Sequence, residues 1–346
     1  MNLLSKLNPD VGSLIAYEPG KPIEEVAREL GLDPKTIIKL ASNESALETS
    51  PKAVAAIQQN ANQVHLYPDG GAYRLKAALS EHYDLTPENF IIGNGSNEIL
   101  ELIGHCFLNP SRSAVFSQYA FIVYKLVSKL FGARMIEVDA TESLGHDLNA
   151  IRDAVDDDTS VIFLCNPNNP TGTILDPDDI ISFIDSLPDD ILVVIDEAYI
   201  ELCSKPMPDL MPYLRANKPV LISRTFSKAY GLAGLRLGYG IACPELISAI
   251  NKSRQPFNCN LIAQEAAIAA LSDQNFIKAG KSHNADCSEY FESQCQELSF
   301  DYIPTATNFM LIKTGDSVGT FQKLQKIHLI GVFWHAQSNG GHNFGV

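Results

Sequence analysis

From about residue 90 the chain alternates short, continuously apolar runs with segments of helical periodicity. No other feature constrains its fold as much. The runs read as strands: Asn89–Asn94 (NFIIGN), Ala114–Ser117, Met135–Val138, Val161–Cys165 (VIFLC), Ile191–Ile195 (ILVVI), Val220–Ser223 and Leu237–Ala242. Apolar residues at nearly every position, rather than every second one, predict strands buried on both faces. Between them lie helical patterns at Asn97–Phe107, Tyr119–Phe131 and Pro177–Ser186. The first carries Ile99, Leu100, Leu102, Ile103 and Cys106 on one side. Strands alternating with helices predict an α/β chain with a mostly parallel sheet between helices.

The pattern changes near Pro256. Asn260–Leu271 and Asn275–Glu297 read as long helices, Asn308–Lys313 as a strand and Phe321–Lys326 as part of a helix. This predicts a large domain over residues 47–254, a smaller α+β domain over 255–346, and an N-terminal arm, 1–46, that joins the small domain. The 346 residues suffice for two domains with sizeable cores.

Composition excludes several classes. The net charge of −15 argues against a nucleic-acid partner. No apolar run is long enough to suggest a membrane partner, and MNLLSKLNPD lacks the apolar core of a signal peptide, so the expected location is the cytoplasm. Seven cysteines without a CxxC pair predict reduced thiols and no metal site.

Four motifs carry the chemistry. In SRTFSKAYGLAGLR, Thr225 and Ser227 flank Lys228, and Arg236 lies eight residues beyond it. Hydroxyls, an Arg and small residues suit a bound phosphate, and a Lys beside it can form a Schiff base. The alternative is a surface Lys in a glycine-softened loop. In ILVVIDEAY, Asp196 ends an apolar strand at the sheet's carboxyl edge, where it can pair with a pyridinium nitrogen or merely cap a helix starting at Glu197. Tyr199, three residues on, can donate to a ring oxygen. CNPNNPTG places the Asn169 amide at the same edge, or is simply a turn. In GNGSNE, Ser96 and Asn97 open a helix whose free N–H groups can bind phosphate, or serve only as its cap.

In this order and spacing the motifs resemble the fold-type-I, class II pyridoxal-phosphate aminotransferases, and most closely the histidinol-phosphate aminotransferase family. LASNE at Leu40–Glu44 and YPDGGAYRLKAALS at Tyr67–Ser80 extend the likeness, which covers about residues 3 to 327. The resemblance implies pyridoxal 5'-phosphate as cofactor, with Lys228 as its Schiff-base lysine, Asp196 as its pyridinium partner, and Asn169 and Tyr199 at its ring oxygen. It implies a phosphate cup of Ser96, Asn97, Thr225, Ser227 and Arg236, with Tyr119 stacked on the ring. Tyr67 resembles a tyrosine that reaches the neighbouring subunit's cofactor, which implies a homodimer with shared sites. The implied reaction is histidinol phosphate plus 2-oxoglutarate to imidazole acetol phosphate plus glutamate, by double displacement. The partners are then a small-molecule amino donor and a 2-oxo acid. An aromatic-amino-acid aminotransferase, a phospho-amino-acid decarboxylase of the same fold, and an impaired homologue that keeps the cofactor are the alternatives.

Two segments depart from the family pattern. Asn43–Pro51 reads NESALETSP where the family usually has NENPLGPSP. After about residue 327 the expected pair of substrate-binding arginines does not appear; the last arginine is Arg254. His328, His335 and His342 cannot reproduce a bidentate guanidinium clamp. A truncation, a shifted reading frame and genuine divergence each account for such a tail.

Overall fold

The computed structural model describes residues 3–7, 9–12, 14, 22–331, 333–335 and 343–345. Its centre is a seven-stranded sheet. The strands are β1 (Phe90–Gly93), β2 (Ser113–Ser117), β3 (Arg134–Val138), β4 (Thr159–Cys165), β5 (Leu192–Asp196), β6 (Val220–Thr225) and β7 (Gly238–Ile241). They lie in the order β1-β7-β6-β5-β4-β2-β3. The pairs from β6 through β5, β4 and β2 to β3 are parallel, and β7 runs antiparallel to both its neighbours. Apolar runs do not encode the reversal at β7, because a strand buried on both faces reads the same in either direction.

Strands β2, β4, β5 and β6 feed two cores by simple alternation. Val115, Ile162, Leu164, Val193, Ile195 and Ile222 pack into one cluster. Ala114, Phe116, Val161, Phe163, Val194 and Leu221 pack into the other. Helix Ser96–Phe107 covers the second face with Ile99, Leu100, Leu102 and Ile103. Register then matters for function. Cys165 pairs with Asp196, and Asp196 with Ser223, so the carboxyl ends of β4, β5 and β6 lie level.

Helix Leu261–Leu271 presents Ala263, Ala266, Ala267 and Ala270 to the same core as Ala53 of helix Pro51–Asn60. Small side chains let the two backbones approach closely. Helix Leu261–Leu271 thus shares a core with a helix some 200 residues before it in the chain. Beyond it run the long helix Gln274–Glu297 and a four-stranded antiparallel sheet of Tyr302–Ile303, Leu311–Lys313, Phe333–His335 and Asn343–Gly345. Ile38–Lys39 of the arm pairs in parallel with Leu329–Ile330. Residues 332, 336–342 and 346 of the divergent tail, His342 among them, lie outside the described residues.

Two local expectations need correction. The helix expected from Tyr119 begins at Ile122, and Tyr119 and Ala120 sit in the turn that leaves β2. No helix starts at Glu197; the chain turns through Ala198–Leu202. Asp196 is thus not a helix cap.

Candidate active site

The level strand ends bring three of the motifs to one edge of the sheet. Lys228 follows β6 in a turn closed by a hydrogen bond from the Ser227 N–H to Thr225 Oγ1, 3.1 Å. Its ammonium Nζ lies 5.6 Å from the centre of the Tyr199 ring and donates to the Ser42 carbonyl at 3.0 Å. Burial is the main cause that brings its pKa down to about 8; Glu44 opposes the shift and Arg236 assists it. A surface lysine would show none of this.

Asp196 is 2% exposed at the end of β5. Its Oδ2 accepts a hydrogen bond from the Tyr124 hydroxyl at 3.0 Å, while Oδ1 is buried with no partner. Burial pushes its pKa up to about 6, against the Tyr124 bond, which lowers it. A buried carboxylate oxygen without a donor is costly unless a cationic or N–H group completes it. Ser223 Oγ, on the neighbouring strand, is likewise buried and unpaired.

Tyr199 and Asn169 meet as expected, the Asn169 amide donating to the Tyr199 oxygen at 3.1 Å. The neighbouring Asn168 supports the site through Tyr119, donating to its carbonyl at 2.7 Å. A cavity of about 380 Å³ opens beside Tyr119, between Thr141 and Leu144 on one side and Tyr302 and Lys313 on the other.

The fourth motif lies at the start of helix Ser96–Phe107. Its N-cap is Gly95, which offers no side chain, so Ser96 is the first helical residue and not the cap. Gly95 has φ 81°, and a Cβ there would stand 2.7 Å from Arg236 Nη2. Glycine therefore opens a cradle between the helix N-terminus and a guanidinium, two groups that favour an anion. Tyr67 stands apart: it is 84% exposed, and its ring stacks on Phe257.

Several contributors went unread in the sequence. Tyr124 lay hidden in an amphipathic helix pattern as ordinary core, and it stacks on Phe163 with ring centres 4.8 Å apart. Arg224 pairs with Glu197 at 2.7 Å and so ties the ends of β6 and β5 together. Asn43 and Asn308 reach the site from distant parts of the chain, which no local pattern reveals. Tyr124→Phe should strip Asp196 Oδ2 of its side-chain donor and lower stability by about 1–3 kcal/mol, measured by denaturant unfolding of the cofactor-free protein.

The family model for "Aminotransferase class I and II" matches residues 35–333. The chain belongs to the class I and II aminotransferases. A relative named histidinol-phosphate aminotransferase, from Akkermansia muciniphila, is 45% identical over 324 residues, covering 94% of this chain and 89% of that protein. One of the same name from Moorella thermoacetica is 44% identical over 315 residues, covering 90% and 81%. Among solved structures, histidinol-phosphate aminotransferase from Sinorhizobium meliloti, in complex with pyridoxal-5'-phosphate, superposes with a TM-score of 0.89 at 27% identity, covering 99% and 92%. The sheet and its helices are thus those of a fold-type-I aminotransferase.

Proposed function

We propose that this aminotransferase moves the amino group of histidinol phosphate to 2-oxoglutarate, with pyridoxal phosphate held on Lys228. The observation that carries the reading is the pairing of a desolvated lysine, with its pKa near 8, and a buried Asp196 oxygen that lacks a donor. The names of the relatives, at 44–45% identity over most of both chains, support the substrate.

The residues fit the cofactor at three points. Asp196 Oδ1 can take the ring N–H, the Gly95–Arg236 cradle with Ser96, Asn97, Thr225 and Ser227 can take the phosphate, and Lys228 can take the carbonyl carbon. When bound, pyridoxal phosphate supplies a carbonyl that condenses with amines and a ring that accepts the electron pair left by a departing proton. Asp196 holds the proton on the ring nitrogen, and that charge is what makes the ring an electron sink. Lys228, when its Nζ is free, would carry a proton between the substrate carbon and the cofactor carbon. Its depressed pKa suits that task near neutral pH. Tyr199 and Asn169 would hold the ring oxygen, and Tyr119 would cover the ring face.

Tyr67 supports a homodimer with shared sites. With Val64, Leu66 and Phe257 it forms an exposed apolar strip, each residue at least 48% exposed, of the kind a second copy would cover. A cytoplasmic location is supported by seven free cysteines. We assign residues 1–46, 47–254 and 255–346 to the arm, large domain and small domain.

The test is spectroscopic and chemical. Pyridoxal phosphate added to the protein should give a visible absorption band, and borohydride followed by peptide mapping should place the label on Lys228. Histidinol phosphate should bleach that band, and 2-oxoglutarate should restore it. A label elsewhere overturns the lysine assignment; bleaching by phenylalanine or threonine phosphate, but not histidinol phosphate, overturns the substrate.

A further inference from the structure

Residues 42–44 reach over the active-site lysine in a backbone conformation that needs an outside grip. Ser42 and Asn43 both adopt left-handed φ angles, 72° and 50°. Such angles disfavour residues with a Cβ, a serine more than an asparagine. The grip comes from Asn308, some 265 residues away, whose side-chain amide donates to the carbonyls of Asn43 and Glu44 at 3.2 Å each. Held this way, the loop turns the Ser42 carbonyl to Lys228 Nζ and the Asn43 amide to the Tyr199 oxygen, at 3.1 Å.

The Tyr199 oxygen therefore receives two amide donors, Asn43 and Asn169. A phenol oxygen has two acceptor lone pairs and one proton to give. Both acceptor positions are taken, and Tyr199 is 2% exposed. Its own proton can only be donated onward. Among the described residues it meets no acceptor.

We propose that Asn43 is a positioning residue that acts through Tyr199, and that Asn308 holds it there: together they commit the Tyr199 proton to the ring oxygen of the cofactor. The inference rests on the pyridoxal-phosphate reading above. Two donors to the phenol oxygen also polarise its O–H bond, so the hydrogen bond it gives is stronger. A strong donor stabilises negative charge on the ring oxygen. That lowers the pH at which the Lys228 nitrogen, joined to the cofactor, gives up its proton.

The experiment is a pH titration of the visible absorption of the loaded holoenzyme. Asn43→Ala should raise the midpoint by about 0.5 pH units or more. Asn43→Asp should raise it further, because a carboxylate accepts the Tyr199 proton instead of donating to the oxygen. Asn308→Asp keeps the shape of Asn308 but loses its donors, and should move the midpoint the same way. The double variant Asn43→Ala/Asn308→Asp should move it no further than Asn43→Ala alone. A purely structural role would lower thermal stability and leave the midpoint in place. An unchanged midpoint in Asn43→Ala, with label still on Lys228, overturns the proposal and leaves the transaminase reading standing. An unmoved midpoint in Asn308→Asp, beside a shift in Asn43→Ala, removes Asn308 from it. An unsubstituted protein that takes no cofactor on Lys228 overturns both readings together.

Discussion

Lys228→Ala will yield a folded protein whose transamination rate has fallen at least about a thousandfold, because the proposed covalent anchor and mobile base are both gone. Lys228→Arg should do no better, since a guanidinium keeps its charge at any working pH. The fold should survive both changes. Lys228 is half-buried, and its Nζ bonds a single backbone carbonyl. A second signature separates this from a general loss of structure. Burial holds the Lys228 pKa near 8, below its ordinary 10.5. Between those values the unfolded chain binds more protons than the folded one, so cofactor-free protein gains stability as pH rises from 8 towards 10.5. Denaturant midpoints across that window should rise in the unsubstituted protein and lose that part of the rise in Lys228→Ala. Retained turnover in Lys228→Ala would move the anchor to another lysine.

What the sequence made legible here followed from strand ends. Asp196, Asn169 and Thr225–Lys228 each trail a continuously apolar run, and parallel neighbours in register deliver such residues to one edge. Their convergence needed no knowledge of side-chain geometry. Tyr119 was readable as a candidate but not as a turn, because its stretch SQYAFIVY carries a helical apolar period up to the β2 boundary. Tyr124 was not readable at all: an aromatic on the apolar face of a helix looks like core, and only the structure shows its hydroxyl on Asp196. Asn43 and Asn308 lie at the opposite limit. Their pairing spans nearly the whole chain and depends on two left-handed residues that are not glycine. A sequence signals that backbone conformation chiefly through glycine, so the departure from the family pattern around Asn43 marked the loop without revealing what it does.

Asp196→Asn should trade activity for stability. The amide keeps the shape and can still accept the Tyr124 hydrogen bond, so the stacking of Tyr124 on Phe163 is preserved. It cannot hold a positive ring nitrogen as a carboxylate does. The rate should fall by roughly two to four orders of magnitude, because the electron sink weakens where the charge develops. Stability should move the other way in the cofactor-free protein. The folded carboxyl, fully buried, titrates near pH 6, well above the value of an unfolded aspartate. Between the two the folded state binds the extra proton, so stability falls as pH rises through that window, and the penalty is complete above about 6. Holding a carboxyl at about 6 instead of its ordinary 3.8 costs on the order of 3 kcal/mol once it is ionised, and Asn does not carry that cost. Cofactor-free Asp196→Asn should therefore unfold at higher denaturant than the unsubstituted protein at pH 7.5, with the difference gone near pH 4. Added pyridoxal phosphate should narrow the gap at pH 7.5 by stabilising the unsubstituted protein more, since only its carboxylate gains a cationic partner. Equal turnover in the two proteins would show that another group governs the ring nitrogen. An Asn variant less stable at pH 7.5 would show that the buried carboxylate already has its partner inside the fold.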